Sequence, residues 1–133
     1  MSENVELEVE LPRAKGASHV ARRVLRCLCE DRVESDLMND AELLVSELTT
    51  NALLHGEGRI RLRARLDEDR LRAEIVDEGR GFVAREREQI GGWGREIVDD
   101  LSSHWGVEDG ARAWFELERR ARAPSDPPRT IDG

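Results

Sequence analysis

Val5, Leu7, Val9 and Leu11 alternate with Asn4, Glu6, Glu8 and Glu10, and a period of two marks a strand with one dry face and one wet face. Pro12 ends it, because a residue without an amide hydrogen cannot extend a ladder. The period then lengthens. Val20, Val24, Leu25 and Leu28 fall on one stripe, predicting a helix from Ser18, a residue suited to capping, to about Glu30. A second helix is predicted from Ser35 or Asn39 to His55, with Gly56 and Gly58 bracketing its end.

Alternation returns with Ile60, Leu62, Ala64 and Leu66 against Arg59, Arg61, Arg63 and Arg65. After a turn at Asp67-Glu68-Asp69-Arg70, Leu71, Ala73 and Ile75 alternate with Arg72 and Glu74. This predicts an antiparallel hairpin whose charged face is solvated. Five glycines make residues 79–94 a loop, and Ile97, Val98 and Leu101 predict a helix after it. Trp105-Gly106-Val107 and Ala113-Trp114-Phe115-Glu116-Leu117 form a closing pair that turns at Asp109-Gly110. From Arg119 the chain turns Arg-, Pro- and Asp-rich without an apolar period, predicting one domain over residues 1–118 and a disordered tail over 119–133. Strand, two helices, hairpin, helix, hairpin is the order of an α+β two-layer sandwich on a mostly antiparallel sheet.

Composition narrows the picture. At 133 residues there is one core, and with aromatics at 4% it must be aliphatic. A net charge of −8 argues against nucleic acid or an anionic membrane as partner. All but one of the 21 basic side chains are arginine, the exception being Lys15. No apolar run approaches the roughly eighteen residues of a membrane span, and no signal-peptide pattern opens the chain, so a cytoplasmic protein is expected. Cys27 and Cys29 stand two apart in a predicted helix; their side chains diverge, which reads as two reduced thiols rather than a disulfide or a metal pair.

The chemistry concentrates in three places. Glu47, Asn51 and His55 recur at four-residue spacing and share one helix face. Ala41, Leu44, Leu48 and Ala52 lie to one side of it and Leu43 and Leu54 to the other, so the face is expected to turn away from solvent. Polar groups there cost free energy unless something bonds or coordinates them. The second place is Asp77-Glu78-Gly79-Arg80-Gly81, a carboxylate at a strand end able to accept from an exocyclic amine, with glycines that allow close approach. The third is Gly91-Gly92-Trp93-Gly94, which opens a helix whose N–H groups suit a phosphate. Separately, the last two are also an ordinary turn and an ordinary helix start.

In this order the three resemble the N, G1 and G2 boxes of the GHKL (Bergerat-fold, histidine-kinase-like) ATPase superfamily. Val45 to Gly56, Trp105-Gly106-Val107 and Trp114 to Leu117 are similar to the small single-domain anti-sigma-factor kinases within it. The resemblance spans about Leu7 to Leu117. It implies that Asn51 coordinates a Mg²⁺ bridging the ATP phosphates, since an amide oxygen suits a hard cation. It implies that Glu47 orients or deprotonates the attacking hydroxyl. Asp77 would hold the adenine amine with Gly79 and Gly81 giving it room, and Gly92 and Gly94 would line the phosphates. His55 is expected to pack at the helix end.

Three positions depart from that pattern. Arg95 replaces the usual leucine, at a place from which it could reach a phosphate or a partner. Ala111 stands where relatives often carry a threonine that supports the adenine-binding carboxylate, and the 82–90 segment is short for a lid. Together they predict weak nucleotide binding or fast exchange.

The function implied is an ATP-dependent serine/threonine kinase acting on a small STAS-type anti-anti-sigma protein, with a sigma factor as a second partner. The first strand and helix would be the homodimer interface. Two alternatives stand beside it: a non-catalytic nucleotide-dependent binding module, and a detached histidine kinase catalytic domain, for which His19 on a lone helix is a poor phosphoacceptor.

Overall fold

The computed structural model describes residues 4–79, 104–108 and 112–119. In chain order the elements are β1 (Val5–Leu11), α1 (Ala17–Cys29), α2 (Ser35–His55), β2 (Ile60–Leu66), β3 (Arg70–Val76), β4 (His104–Glu108) and β5 (Arg112–Glu118). The expected loop after Gly79, the helix on Ile97, Val98 and Leu101, the turn at Asp109-Gly110 and the tail beyond Arg119 lie outside the described residues.

The five strands form one sheet in the order β1-β2-β3-β5-β4, with every neighbouring pair antiparallel. Period-two alternation places one row of side chains toward the helices, running Leu7, Ala64, Ala73, Phe115, Trp105 across the strands. Small residues occupy the β2 and β3 positions of that row, and larger ones its two sides. Helix α1 packs against β1 and β2, and α2 against β3 and β5. Between the layers Leu25, Leu44, Val45, Ile60, Leu62, Leu66, Leu71 and Phe115 are fully buried. The core is aliphatic, with Phe115 as its one buried aromatic among the described residues. This is the α+β sandwich that the alternation and the two helical stripes predict.

Local details differ from expectation. Ser18 does not cap α1. The N-cap is Gly16, with no side-chain cap, and the Ser18 hydroxyl is drawn sideways to the Ser46 carbonyl and the Thr50 hydroxyl on α2. Helix α2 takes the earlier of its two expected starts, Ser35. Arg22 and Arg26 complete the seam between the helices, donating to the Ser46 hydroxyl and to Glu42. Arg119, at the expected start of the tail, is tied to the body. Its amide donates to the Asp69 carbonyl, and its guanidinium to the carbonyls of Asp67 and Arg32.

The wet face of the sheet is an ionic lattice. Glu6, Glu8 and Glu10 on β1 face Arg65, Arg63 and Arg61 on β2. Further in, Arg72 donates to Glu74 at 2.9 Å and to Glu116 at 3.0 Å, with its guanidinium 4.3 Å from the centre of the Trp114 ring. Burial opposes the charge on Arg72, but the hydrogen bonds to Glu74 and Glu116 outweigh it and raise the guanidinium above its ordinary pKa. Among the two thiols, Cys27 is exposed and Cys29 buried. Burial pushes the Cys29 thiol up to about 11 against the opposing pull of Arg119 and Arg32, so it stays protonated and inert.

Candidate functional site

Three polar side chains are buried among the described residues: Thr49, Asn51 and Asp77. Thr49 is self-contained, its hydroxyl donating to the Val45 carbonyl one turn back at 2.7 Å. Asn51 and Asp77 stand near the ends of two elements that pack on each other. Asn51 is on the last turns of α2, and Asp77 continues the inward row of β3 that runs through Leu71, Ala73 and Ile75. The helix end and the strand end therefore meet at one edge of the sandwich, with the 56–59 connection between them.

The Asp77 carboxylate is held on one side. Its Oδ1 accepts from the Gly79 N–H at 2.7 Å and, at 3.5 Å, from the Glu57 N–H. Gly79, expected only to give room, is thus a donor that fixes the carboxylate. The other oxygen, Oδ2, lies against Gly56. A Cβ built there would sit 2.6 Å from Asp77 Cγ and 2.8 Å from the Ala52 carbonyl oxygen, closer than a side chain allows, so the approach of helix end to carboxylate requires glycine. Gly58 has φ +71°, the left-handed region that glycine enters without steric cost. The Glu78 N–H closes the junction by donating to the Glu57 carbonyl at 2.9 Å.

Glu47 is half-buried one helical turn before Asn51, about 6 Å along the axis. Among the described residues, neither the Asn51 amide nor the Glu47 carboxylate has a hydrogen-bond partner. A nearly buried amide in that state has capacity for a ligand. The expected wholly buried face is only partly realised. His55 is exposed, and Leu43 and Leu54 on its far side are 44% and 70% exposed. Along the face Glu47 is half-buried, Asn51 buried and His55 exposed, which leaves Asn51 next to the boundary between core and solvent.

One participant escaped sequence reasoning. Arg13, just past the Pro12 that ends β1, reaches the C-terminus of α2. Its Nε donates to the Gly58 carbonyl at 2.7 Å, and its two terminal nitrogens to the carbonyls of Leu53 and Ala52, both at 3.1 Å. The partners are 39 to 45 residues away, and no local pattern marks one arginine among so many. Of the remaining expected site residues, Gly81, Gly92, Gly94 and Arg95 lie outside the described residues, as does Ala111.

The donor set fits a nucleotide better than a protein-built metal cage. Among the described residues no three His, Cys, Asp or Glu side chains gather as for a metal, so a cation at Asn51 would draw its other ligands from water and from a bound phosphate. An ionised carboxylate with one oxygen committed to backbone N–H groups presents the other as an acceptor for an amine.

Comparison with known proteins agrees. A family model for the histidine kinase-like ATPase domain matches residues 9–114. A stretch of 52 residues is 37% identical to the anti-sigma F factor of Clostridium beijerinckii, covering 35% of this chain and 36% of that protein. A solved structure of the RsbU and RsbW domains of a Mycobacterium tuberculosis protein superposes with a TM-score of 0.65 at 23% identity, over 87% of this chain and 32% of that one. At that identity the likeness is one of fold. The chain thus spans about a third of the length of each of these two relatives. No helix among the described residues is long and apolar enough to cross a membrane.

Proposed function

The chain belongs to the histidine kinase-like ATPase family, and from that premise we propose that it is an anti-sigma-type serine/threonine kinase. It binds Mg·ATP between α2 and the end of β3 and phosphorylates a small STAS-type anti-anti-sigma protein, regulating transcription by exchange between that partner and a sigma factor. The observation that carries this reading is the pairing of Asp77 with Asn51. One is a buried carboxylate clamped on a single oxygen at the end of β3; the other is a buried amide on α2 without a partner among the described residues, and the end of that helix packs on the carboxylate.

The roles follow from the chemistry of each group. Asp77 accepts the exocyclic amine of adenine through the oxygen its backbone donors leave over. Asn51 offers an amide oxygen to Mg²⁺, a hard cation. ATP supplies the phosphoryl group. Glu47, one turn from Asn51 and half-buried, takes the proton of the attacking hydroxyl, as a carboxylate within one turn of the metal-binding amide is placed to do. The phosphate-facing assignments of Gly81, Gly92, Gly94 and Arg95 rest on the sequence alone. The anti-sigma F factor similarity and the RsbW-like fold support the partner class.

Glu47→Gln separates transfer from binding. Calorimetric titration with Mg·ATP should give unchanged one-to-one binding, while transfer of label from γ-labelled ATP to a purified STAS-type protein should fall at least about a hundredfold. Unchanged transfer removes Glu47 from the role of base. A second reading, a nucleotide-dependent binding module without transfer, is favoured by Ala111, which brings no hydroxyl to the adenine end. Binding of Mg·ATP and of the STAS partner without any labelled product would select it.

A further inference from the structure

We propose that Arg13 is the positioning residue of this site: through the 56–58 connection it sets the aim of the Asp77 carboxylate and so determines the preference for adenine. The inference rests on the nucleotide reading above and adds to it a residue from the opposite end of the chain.

The last carbonyls of a helix have no partners within the helix. At the end of α2 a single guanidinium takes the Leu53 carbonyl, shares the Ala52 carbonyl with the Gly56 N–H, and takes the Gly58 carbonyl beyond the helix. A cation is favoured at this end of the helix dipole. The greater consequence is geometric. Three acceptors held by one rigid fork fix the direction in which the chain leaves the helix, and with it the position of everything from Gly56 to Gly58.

Each residue of that segment is bonded to or packed on the Asp77 turn. Gly56 packs its bare Cα against the carboxylate. The Glu57 N–H donates to Asp77 Oδ1, and its carbonyl accepts the Glu78 N–H. Gly58 lies against the Glu78 side chain. Displacement of the segment therefore reaches the carboxylate directly, while Asn51 and Glu47 ride on the regular part of α2. Arg13 acts on the base end of the site and leaves the metal end in place. Lysine cannot substitute, since a compact ammonium does not reach all three carbonyls as the wider guanidinium fork does.

A plain helix cap would add stability without touching recognition, and the molecule contains a control for that case. Arg119 also bridges backbone carbonyls, those of Asp67 and Arg32, at the other end of β3. The experiment is calorimetric titration of the full chain with Mg·ADP and Mg·GDP, which the protein does not turn over, alongside thermal melts of wild type, Arg13→Ala, Arg13→Lys and Arg119→Ala. We expect Arg119→Ala to lower Tm and leave both affinities unchanged. Arg13→Ala should weaken Mg·ADP binding about tenfold, a cost typical of misplacing a recognition group, and erase a similar factor of the ADP-over-GDP preference. Arg13→Lys should recover Tm but not the preference.

An Arg13→Ala protein with lowered Tm and unaltered ADP affinity and preference reduces Arg13 to a cap and overturns the inference. Should that variant not fold, Arg13→Lys decides alone: wild-type preference overturns the inference, and lost preference at near-wild-type Tm supports it. A wild-type chain that binds neither nucleotide fails at the earlier step, overturning the reading of the site and the inference with it.

Discussion

On the outer face of the sheet Glu74 is approached by Arg63 at 3.7 Å, Arg72 at 2.9 Å and Arg112 at 3.6 Å, while Glu116 is shared by Arg70 and Arg72, both at 3.0 Å. On the helix-covered face, at the far end of β3, Asp77 has a single oxygen bonded to backbone and Asn51 has no partner among the described residues. The first region is dense in charge and redundant at its centre: Glu74 and Glu116 each have two or more bases, so one lost arm is replaced. The second has few polar groups and no duplicates. Spare bonding capacity, rather than density of charge, separates the place that can hold a ligand from the place that only has to stay wet. The lattice has its own flaw. Among the described residues the buried Trp114 indole N–H has no acceptor, a cost offset in part by the guanidinium stacked on the ring.

The contrast can be broken at several points. The largest effect is expected at Asp77→Asn, which keeps an oxygen for the Gly79 N–H but spoils the free acceptor. Mg·ATP binding should weaken by about 2 kcal/mol, roughly thirtyfold, while the melting temperature moves little. Calorimetry and a thermal melt on the same sample check both halves. Gly56→Ala comes next. Its methyl meets the Asp77 carboxylate and the Ala52 carbonyl, and forced displacement should lower stability by about 1.5 kcal/mol in urea denaturation while weakening nucleotide binding. Equal binding would show that the junction yields without moving the carboxylate. Smallest is Arg72→Ala in the lattice. With Arg63, Arg70 and Arg112 left to face the acids, the loss should be about 0.5 to 1 kcal/mol, reduced further at high salt, with no change in nucleotide affinity. An affinity change there would erase the distinction between the two faces.

Much of this could be read in the sequence because the signals are local. The rows from Val5 to Leu11, Ile60 to Leu66 and Leu71 to Ile75 alternate so regularly that faces and registers follow. Glu47, Asn51 and Asp77 were singled out by spacing and box order, and the structure buries Asn51 on α2 and places Asp77 against Gly56 at the end of that helix. What stayed hidden depends on distant partners. The placing of β5 between β3 and β4 is a pairing of strands far apart in sequence. Ser18 has the chemistry of a cap, but a carbonyl and a hydroxyl on the neighbouring helix compete for it and win. Leu54 fits the apolar stripe by type yet is mostly exposed, as is Leu43 about three turns earlier on the same side of α2. Arg13 and the second role of Gly56 follow only from where two chain ends arrive.

The position of Asp77 has one more consequence. It extends β3, which has a bonded neighbour on each side, β2 and β5, and the middle of a sheet is the part of a domain that opens last. Its companion Glu57 and the glycines beside it belong to a short connection with few such bonds. The backbone of Asp77 thus follows directly on a strand paired on both sides, whereas its surroundings are held by a few separate bonds. The connection therefore governs the aim of the carboxylate rather than the place of its backbone, and its loss costs recognition before it costs the fold.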